Sequence, residues 1–189
     1  LAATLDDCAF MLLALIEDYE ASFSPKYLQT ALELANDLIE HYHDPDNGGF
    51  FFVPDDADTP VRQKPVYDGA TPSGNSAAMY ALYLLGRMTA NLELEETAER
   101  IHRALAGSVT RSPAASPSFL TGVELMLGEK IEVVIAGVPG AEDTAAMVRK
   151  IYSHYIPGSV VILRPSGEET PEIAEIAGFT RDMVMIGGR

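Results

Sequence analysis

Apolar residues recur along this chain in two alternating styles. Residues 5–21 are apolar on nearly every side, with Phe10, Met11, Leu12, Leu13, Leu15 and Ile16 in one run, the pattern of a buried helix. Residues 25–42 instead place Leu28, Ala31, Leu32, Ala35, Leu38, Ile39 and Tyr42 at helical period, with Gln29, Glu33, Asp37 and Glu40 opposite. This second helix therefore has one wet side. Ser24 before Pro25 predicts its cap and first position. The alternation continues through residues 77–88, apolar all round, and residues 94–106, amphipathic through Leu94, Ala98, Ile101 and Leu105. A fifth run, 116–127, carries only Glu124 as a charge. Between the second and third helices, Asp44-Pro45-Asp46-Asn47-Gly48-Gly49 is turn chemistry leading into a strand-like Phe50-Phe51-Phe52-Val53. Residues 54–65 read as a loop or hairpin.

Buried, half-wet, buried, half-wet, buried is what two concentric layers of antiparallel helices produce. Inner helices touch neighbours on all sides and outer helices present one face to water, whereas a four-helix bundle would make every helix similarly amphipathic. The predicted fold is mainly α, a fragment of an (α/α) toroid over residues 1–128. From Lys130 the grammar changes. A strand at 131–136, a helix at 142–155 and a strand at 159–163 imply a parallel pair with a right-handed crossover. A short helix at 170–176 and a third strand at 183–186 complete a small Rossmann-like α/β unit over residues 129–189, with the boundary near Gly128.

Composition narrows the function classes. Net charge is −15, from 13 Lys+Arg against 28 Asp+Glu, which disfavours a nucleic-acid backbone or an anionic membrane as partner. The apolar stretches are too short to span a bilayer. Cys8 is the one cysteine, so no internal disulfide or thiolate metal cluster is expected from this chain alone. The chain begins at Leu1 without a charged lead-in and stops at Gly187-Gly188-Arg189, as a piece of a longer protein would. The expected compartment is the cytoplasm.

The densest polar cluster, Tyr67-Asp68-Gly69-Ala70-Thr71-Pro72-Ser73-Gly74-Asn75-Ser76, stands before a buried helix. Ser73 or Asn75 as cap and Gly69 and Gly74 as turn residues explain part of it, and the excess of polar groups suggests a binding site. Asp6 and Asp7 open the first buried helix, where they complement its dipole. Inner helices separated by one outer helix run parallel, so Asp6 or Asp7 is expected to approach Asp68 at a common rim. A carboxylate pair is the usual equipment of glycosidic chemistry. His41 and His43 lie i, i+2 and diverge on a helix, favouring a cation at a helix C-terminus over a metal site. Asp44 to Gly48 fails the calcium-loop spacing. Gly137-Val138-Pro139-Gly140 lacks the third glycine of a dinucleotide loop, and Glu142 and Asp143 would repel phosphate. No metal or cofactor is expected, and Cys8 reads as an inert core thiol.

Three stretches in order, Leu5-Asp6-Asp7-Cys8-Ala9-Phe10, Asp44 to Phe52 and Asp68 to Ser76, resemble the C-terminal part of the spermatogenesis-associated, thioredoxin-fused protein family. The resemblance implies an N-terminal thioredoxin-like domain, outside this sequence, joined to a six-hairpin glycosidase-like (α/α)6 toroid similar to that of N-acylglucosamine 2-epimerases. It covers essentially the whole chain, the closing Arg-Asp-Met-Val stretch included. Where the family has an aromatic after the Asp-Asp pair, this chain has Cys8.

The preferred expectation is a domain that binds or processes carbohydrate. Asp7 and Asp68 are its candidate acid and base, and Asp6, Arg62, Lys64, Tyr67, Ser73 and Asn75 its candidate sugar contacts. Epimerase-like or glycosidase-like activity would belong to the full-length protein. The alternative is a non-catalytic scaffold that positions the thioredoxin-like domain or docks another protein. Exposed inner-helix surface would favour self-association of the fragment.

Overall fold

A computed structural model describes residues 3–167 and 171–186. Helices α1 (Leu5–Ser22), α2 (Pro25–His41), α3 (Gly74–Thr89), α4 (Leu92–Arg111) and α5 (Pro117–Leu127) are followed by β1 (Ile131–Gly137), α6 (Glu142–Tyr152), β2 (Ser159–Pro165) and the short α7 (Glu172–Ile176). The protein is mainly helical, and β1 and β2 pair in parallel with Ile131 opposite Ser159 and Gly137 opposite Pro165.

α1, α3 and α5 begin at one rim. The N–H of Gly74, in the first turn of α3, donates to Asp6 in the first turn of α1 (2.9 Å). The first turn of α5 donates to Asp68, which also holds Ser73 at the start of α3. α1 and α3 then both run down to the α/β unit, where Glu20 meets Val161 and Arg87 meets Gly158. α2 returns along α1, and Tyr42 just past its end donates its hydroxyl to the carbonyl of Ala3 (2.7 Å). α4 packs along α3. α3, packed against α1, α4 and α5, is buried along its length except at Tyr80.

α1 is buried on one side and leaves Asp7, Met11, Ala14 and Asp18 exposed on the other, although its composition suggested burial all round. One core joins both parts of the chain: Tyr19, Tyr83, Phe50 and Phe119 are fully buried, and Val160, Ile162 and Ile173 of the α/β unit pack into the same cluster. Each such large apolar side chain removed from water contributes roughly 1.5–3 kcal/mol. The other sheet face, through Ile135, Val161 and Leu163, packs on Val148 and Ile151 of α6. No helix among the described residues is long and apolar enough to cross a membrane.

Several boundaries differ from the sequence pattern. Residues 50–53 form no strand: Phe50 makes a single antiparallel bridge to His43, and its N–H and C=O are both taken by the side chain of Asn75, so no ladder propagates. Residues 183–186 form no third strand; Arg164 ties the preceding carbonyls of Thr180 and Arg181 beside the end of β2, and Val184 and Ile186 stay exposed. α3 starts at Gly74 rather than 77, so part of the polar motif is its first turn. α6 stops at Tyr152, and α7 starts at Glu172, Thr170 lying outside the described residues. Ser24 holds the N-cap position of α2 without a side-chain capping bond.

The α/β unit is anchored by a buried cation. The guanidinium of Arg87 donates to Glu132 of β1 (2.6 and 2.8 Å) and to the carbonyl of Gly158, and its side chain is 1% exposed. Glu132→Ala leaves that charge without its carboxylate, so it is expected to destabilise by about 3 kcal/mol. Urea unfolding measures the loss, and hydrogen exchange should show the amides of β1 and β2 opening first.

Candidate functional site

The rim is built from the first turns of three helices and the loop over residues 43–73. Thr4 caps α1: its hydroxyl accepts the N–H of Asp7 (3.4 Å), while the Asp7 carboxylate accepts the N–H of Thr4 (2.9 Å). This capping box satisfies two free amides reciprocally, and the Thr4 N–H holds the Asp7 carboxyl below its usual range. Asp6 lies one residue back and faces inward. Burial pushes its carboxyl up, against the lowering effect of the Gly74 N–H. A side chain at position 74 would collide with Asp6 and Leu5, so glycine there is what lets α1 and α3 meet.

Asp68 is 7% exposed. Its Oδ1 accepts the N–H of Ser73 (2.8 Å), and its Oδ2 accepts those of Ser118 (2.8 Å) and Phe119 (3.3 Å). It is thus the cap that Ser116, at the N-cap position of α5, does not supply through its own side chain; the Ser116 hydroxyl donates instead to the carbonyl of Val66 (2.8 Å). Ser73 caps α3 by accepting the N–H of Ser76 (3.2 Å). Asn75 is fully buried: its carbonyl accepts the N–H of Phe50 (2.8 Å), and its amide donates to the carbonyls of Phe50 (2.9 Å) and Pro65 (3.0 Å). Of the two residues with capping chemistry, Ser73 caps and Asn75 ties the loop.

The remaining candidates divide. Arg62 donates to the carbonyls of Val53 and His41 and lies over the Phe51 ring, 4.1 Å from its centre. Lys64 donates to Asp44 and to the carbonyl of Gly48 (2.8 Å). Tyr67 projects outward, 69% exposed. The structure therefore brings Asp6, Asp68, Ser73 and Asn75 together around the start of α3. Asp7 lies on the outside of α1, and Arg62 and Lys64 are engaged within the loop.

Asp44 is the residue that sequence reasoning passed over. It is buried, accepts the N–H groups of Asp46 and Asn47 (3.0 Å each), and pairs with Lys64. The signal was present in Asp44-Pro45-Asp46-Asn47-Gly48, a sequence suited to an aspartate folding the chain onto itself. Gly48 and Gly49 take positive φ (72° and 75°), and a side chain at 48 would meet the Arg100 carbonyl and Ala104 of α4. The Lys64 hydrogen bond, reinforced by Asn47, holds the Asp44 carboxyl far below the ordinary carboxylate range. His41 and His43 point to different partners, His41 to Asp55 (3.2 Å) and His43 to the edge of Phe50. No group of three or more His, Cys, Asp or Glu among the described residues forms a metal-binding arrangement. Cys8 is half-buried beside the Tyr42 hydroxyl, and burial pushes its thiol up.

No family model matches the chain. Over 161 residues, 84% of its length, it is 32% identical to spermatogenesis-associated protein 20 of Mus musculus, and the proteins of that name from Rattus norvegicus and Homo sapiens match with the same identity and coverage. The chain is homologous to spermatogenesis-associated protein 20 over this stretch, which spans 20% of the length of these relatives.

Two sets of variants test this geometry. Asp68→Asn turns an amide NH2 toward at least one backbone N–H and should cost about 2–3 kcal/mol. Asn75→Asp faces two carbonyls with a carboxylate and should cost about 3 kcal/mol or more, while exposed Tyr67→Ala should stay within about 0.5 kcal/mol; urea midpoints rank the three. Asp44 sets a pH dependence. Its carboxyl ionises more readily folded than unfolded, so its contribution is complete above the unperturbed value of 3.8 and is lost as pH falls below it. The stability difference between the native protein and Asp44→Asn should therefore shrink on acidification below about pH 4, as measured by urea titrations at successive pH values.

Proposed function

We propose that this chain is an arc of an (α/α) toroid, with α1, α3 and α5 as inner helices and α2 and α4 as outer ones, and that it acts as a scaffold. In this reading the longer protein also carries a thioredoxin-like domain, which the arc helps to position. The observation that carries the proposal is the engagement of Asp68 by three backbone N–H groups from the starts of two helices. A general acid or base must exchange a proton with a reacting group within hydrogen-bond reach. Asp68 would have to release the cap of α5 and the N–H of Ser73 to do so. Ser73 and Asn75 are similarly committed to backbone partners. The toroid reading is supported by the burial of α3 between α1 and α5, and by the exposed flank of α1, which a further helix of the ring would cover.

Carbohydrate binding is the second reading, favoured by two groups left available at the same rim. Tyr67 presents an exposed ring, and Asp6 is engaged through one oxygen, Oδ1. A ring face suits the C–H surface of a sugar, and a carboxylate suits its hydroxyls. The full-length protein, screened against a panel of sugars, separates the readings. The scaffold predicts melting temperatures unchanged to within about 1 °C for every sugar and no aldose–ketose interconversion. A sugar-dependent rise that Tyr67→Ala abolishes would replace the scaffold with a carbohydrate site.

A further inference from the structure

The flank of α3 that carries Tyr80 opens on a groove separate from the Asp68 rim. A cleft of about 630 Å³ lies between α3, α5 and the loop joining α6 to β2, lined by Tyr80, Glu124, Glu129 and Tyr155 among others. A second cleft of about 490 Å³ is also lined by Tyr155 and Ile156 and adds Glu20 and Tyr152. Tyr80 is the single residue of α3 that is not buried, and Tyr155 is 91% exposed.

The charges beside these rings have one sign. Glu124 and Glu129 line the first cleft and Glu20 the second, and Glu17 and Glu20 of α1 act electrostatically on Tyr80 and Tyr152. Among the described residues, no lysine or arginine lines either cleft. Lys130, next in sequence to Glu129, is engaged by Glu95 and lies over the Tyr83 ring. His154 of the second cleft has its Nδ1 beside the Lys150 carbonyl and the Ser153 hydroxyl.

Aromatic faces attract cations through their quadrupole and show little preference for neutral groups of equal size. Carboxylates around such faces add attraction for a cation and repel phosphates and carboxylates. The net charge of −15 raises the local concentration of cations in the same direction. From this charge and ring complementarity we propose that the groove around Tyr80 and Tyr155 binds an organic cation of the alkylammonium class. The site is distinct from the rim and does not rest on either reading of it.

Choline and its neutral carbon isostere, 3,3-dimethylbutan-1-ol, provide the test on the chain itself, followed by amide chemical shifts. Choline should perturb the amides near Tyr155 and Glu124 saturably, and the isostere should bind at least about ten-fold more weakly. Tyr155→Leu should weaken choline by about five-fold or more, while Tyr155→Phe, which keeps the ring, should bind as the native protein does. Glu124→Gln should weaken binding about two-fold and flatten its salt dependence. Both positions are exposed, so folding is unaffected, and matching spectra elsewhere in the chain would confirm this. Equal binding of the isostere, unchanged choline binding in Tyr155→Leu, or no response up to about 50 mM choline would each overturn the proposal.

Discussion

The rim depends on a carboxylate placed among the positive ends of parallel helices. Each helix start carries about half a positive charge on its free N–H groups, and three such starts gathered on one side would repel one another. Asp68 sits among them with the amide of Ser73, the N-cap of α3, on one oxygen and two amides of α5 on the other, and Asp6 of α1 takes the first amide of α3. The two side chains bind residues 73 and 74 in succession, so the start of α3 is held from both sides. At the far end of α3 the sign reverses: Arg87 lies in its last turn and is tied to β1 and to the start of β2. Anions at the starts and a cation at an end make the parallel arrangement electrostatically tolerable and fix which elements stand next to α3.

A second constraint is steric. Gly74 admits the first turn of α1 against that of α3, and Asn75, one residue on, turns inward to take both backbone groups of Phe50. The loop over residues 43–73 is therefore tied to the first turn of α3 at Phe50 and Pro65 and held within itself by Asp44, Lys64 and Arg62. That explains how a long stretch without regular secondary structure remains well packed: its polar groups find partners in side chains where they lack a ladder. Phe50 is buried, which gives the loop an apolar anchor as well.

The helices and the parallel pair were legible because burial imposes periodicity on sequence. Leu28, Ala31, Ala35 and Leu38 are buried as the 3.6-residue period requires, and Val160 to Leu163 form the continuous apolar run of a strand covered on both faces. The polar motif over residues 67–76 was legible as a special place and illegible as a mechanism. Nothing local says that Asp68 caps a helix starting 49 residues later, or that Asn75 reaches back 25 residues to Phe50. Local propensity also misjudged residues 50–53, whose aromatic run suits a strand, because a side chain rather than a second strand satisfied Phe50. On α1, apolar composition read as burial all round, although exposure depends on which neighbours are present.

The distinction between structural and reactive polar groups can then be argued from valence. A carboxylate has about four acceptor positions. Asp68 accepts three backbone amides with 7% of its surface exposed, so a substrate would find little of it to bind, and any proton it took would weaken two helix starts at once. Asp7 is exposed and, among the described residues, hydrogen-bonds to Thr4, the cap of its own helix. Asp6 stands between these extremes, with one oxygen on Gly74 and partial exposure. A sequence in which Asp6, Asp7 and Asp68 look alike thus contains one carboxylate that joins the starts of two helices, one that caps its own helix, and one, Asp6, that commits a single oxygen to the start of α3.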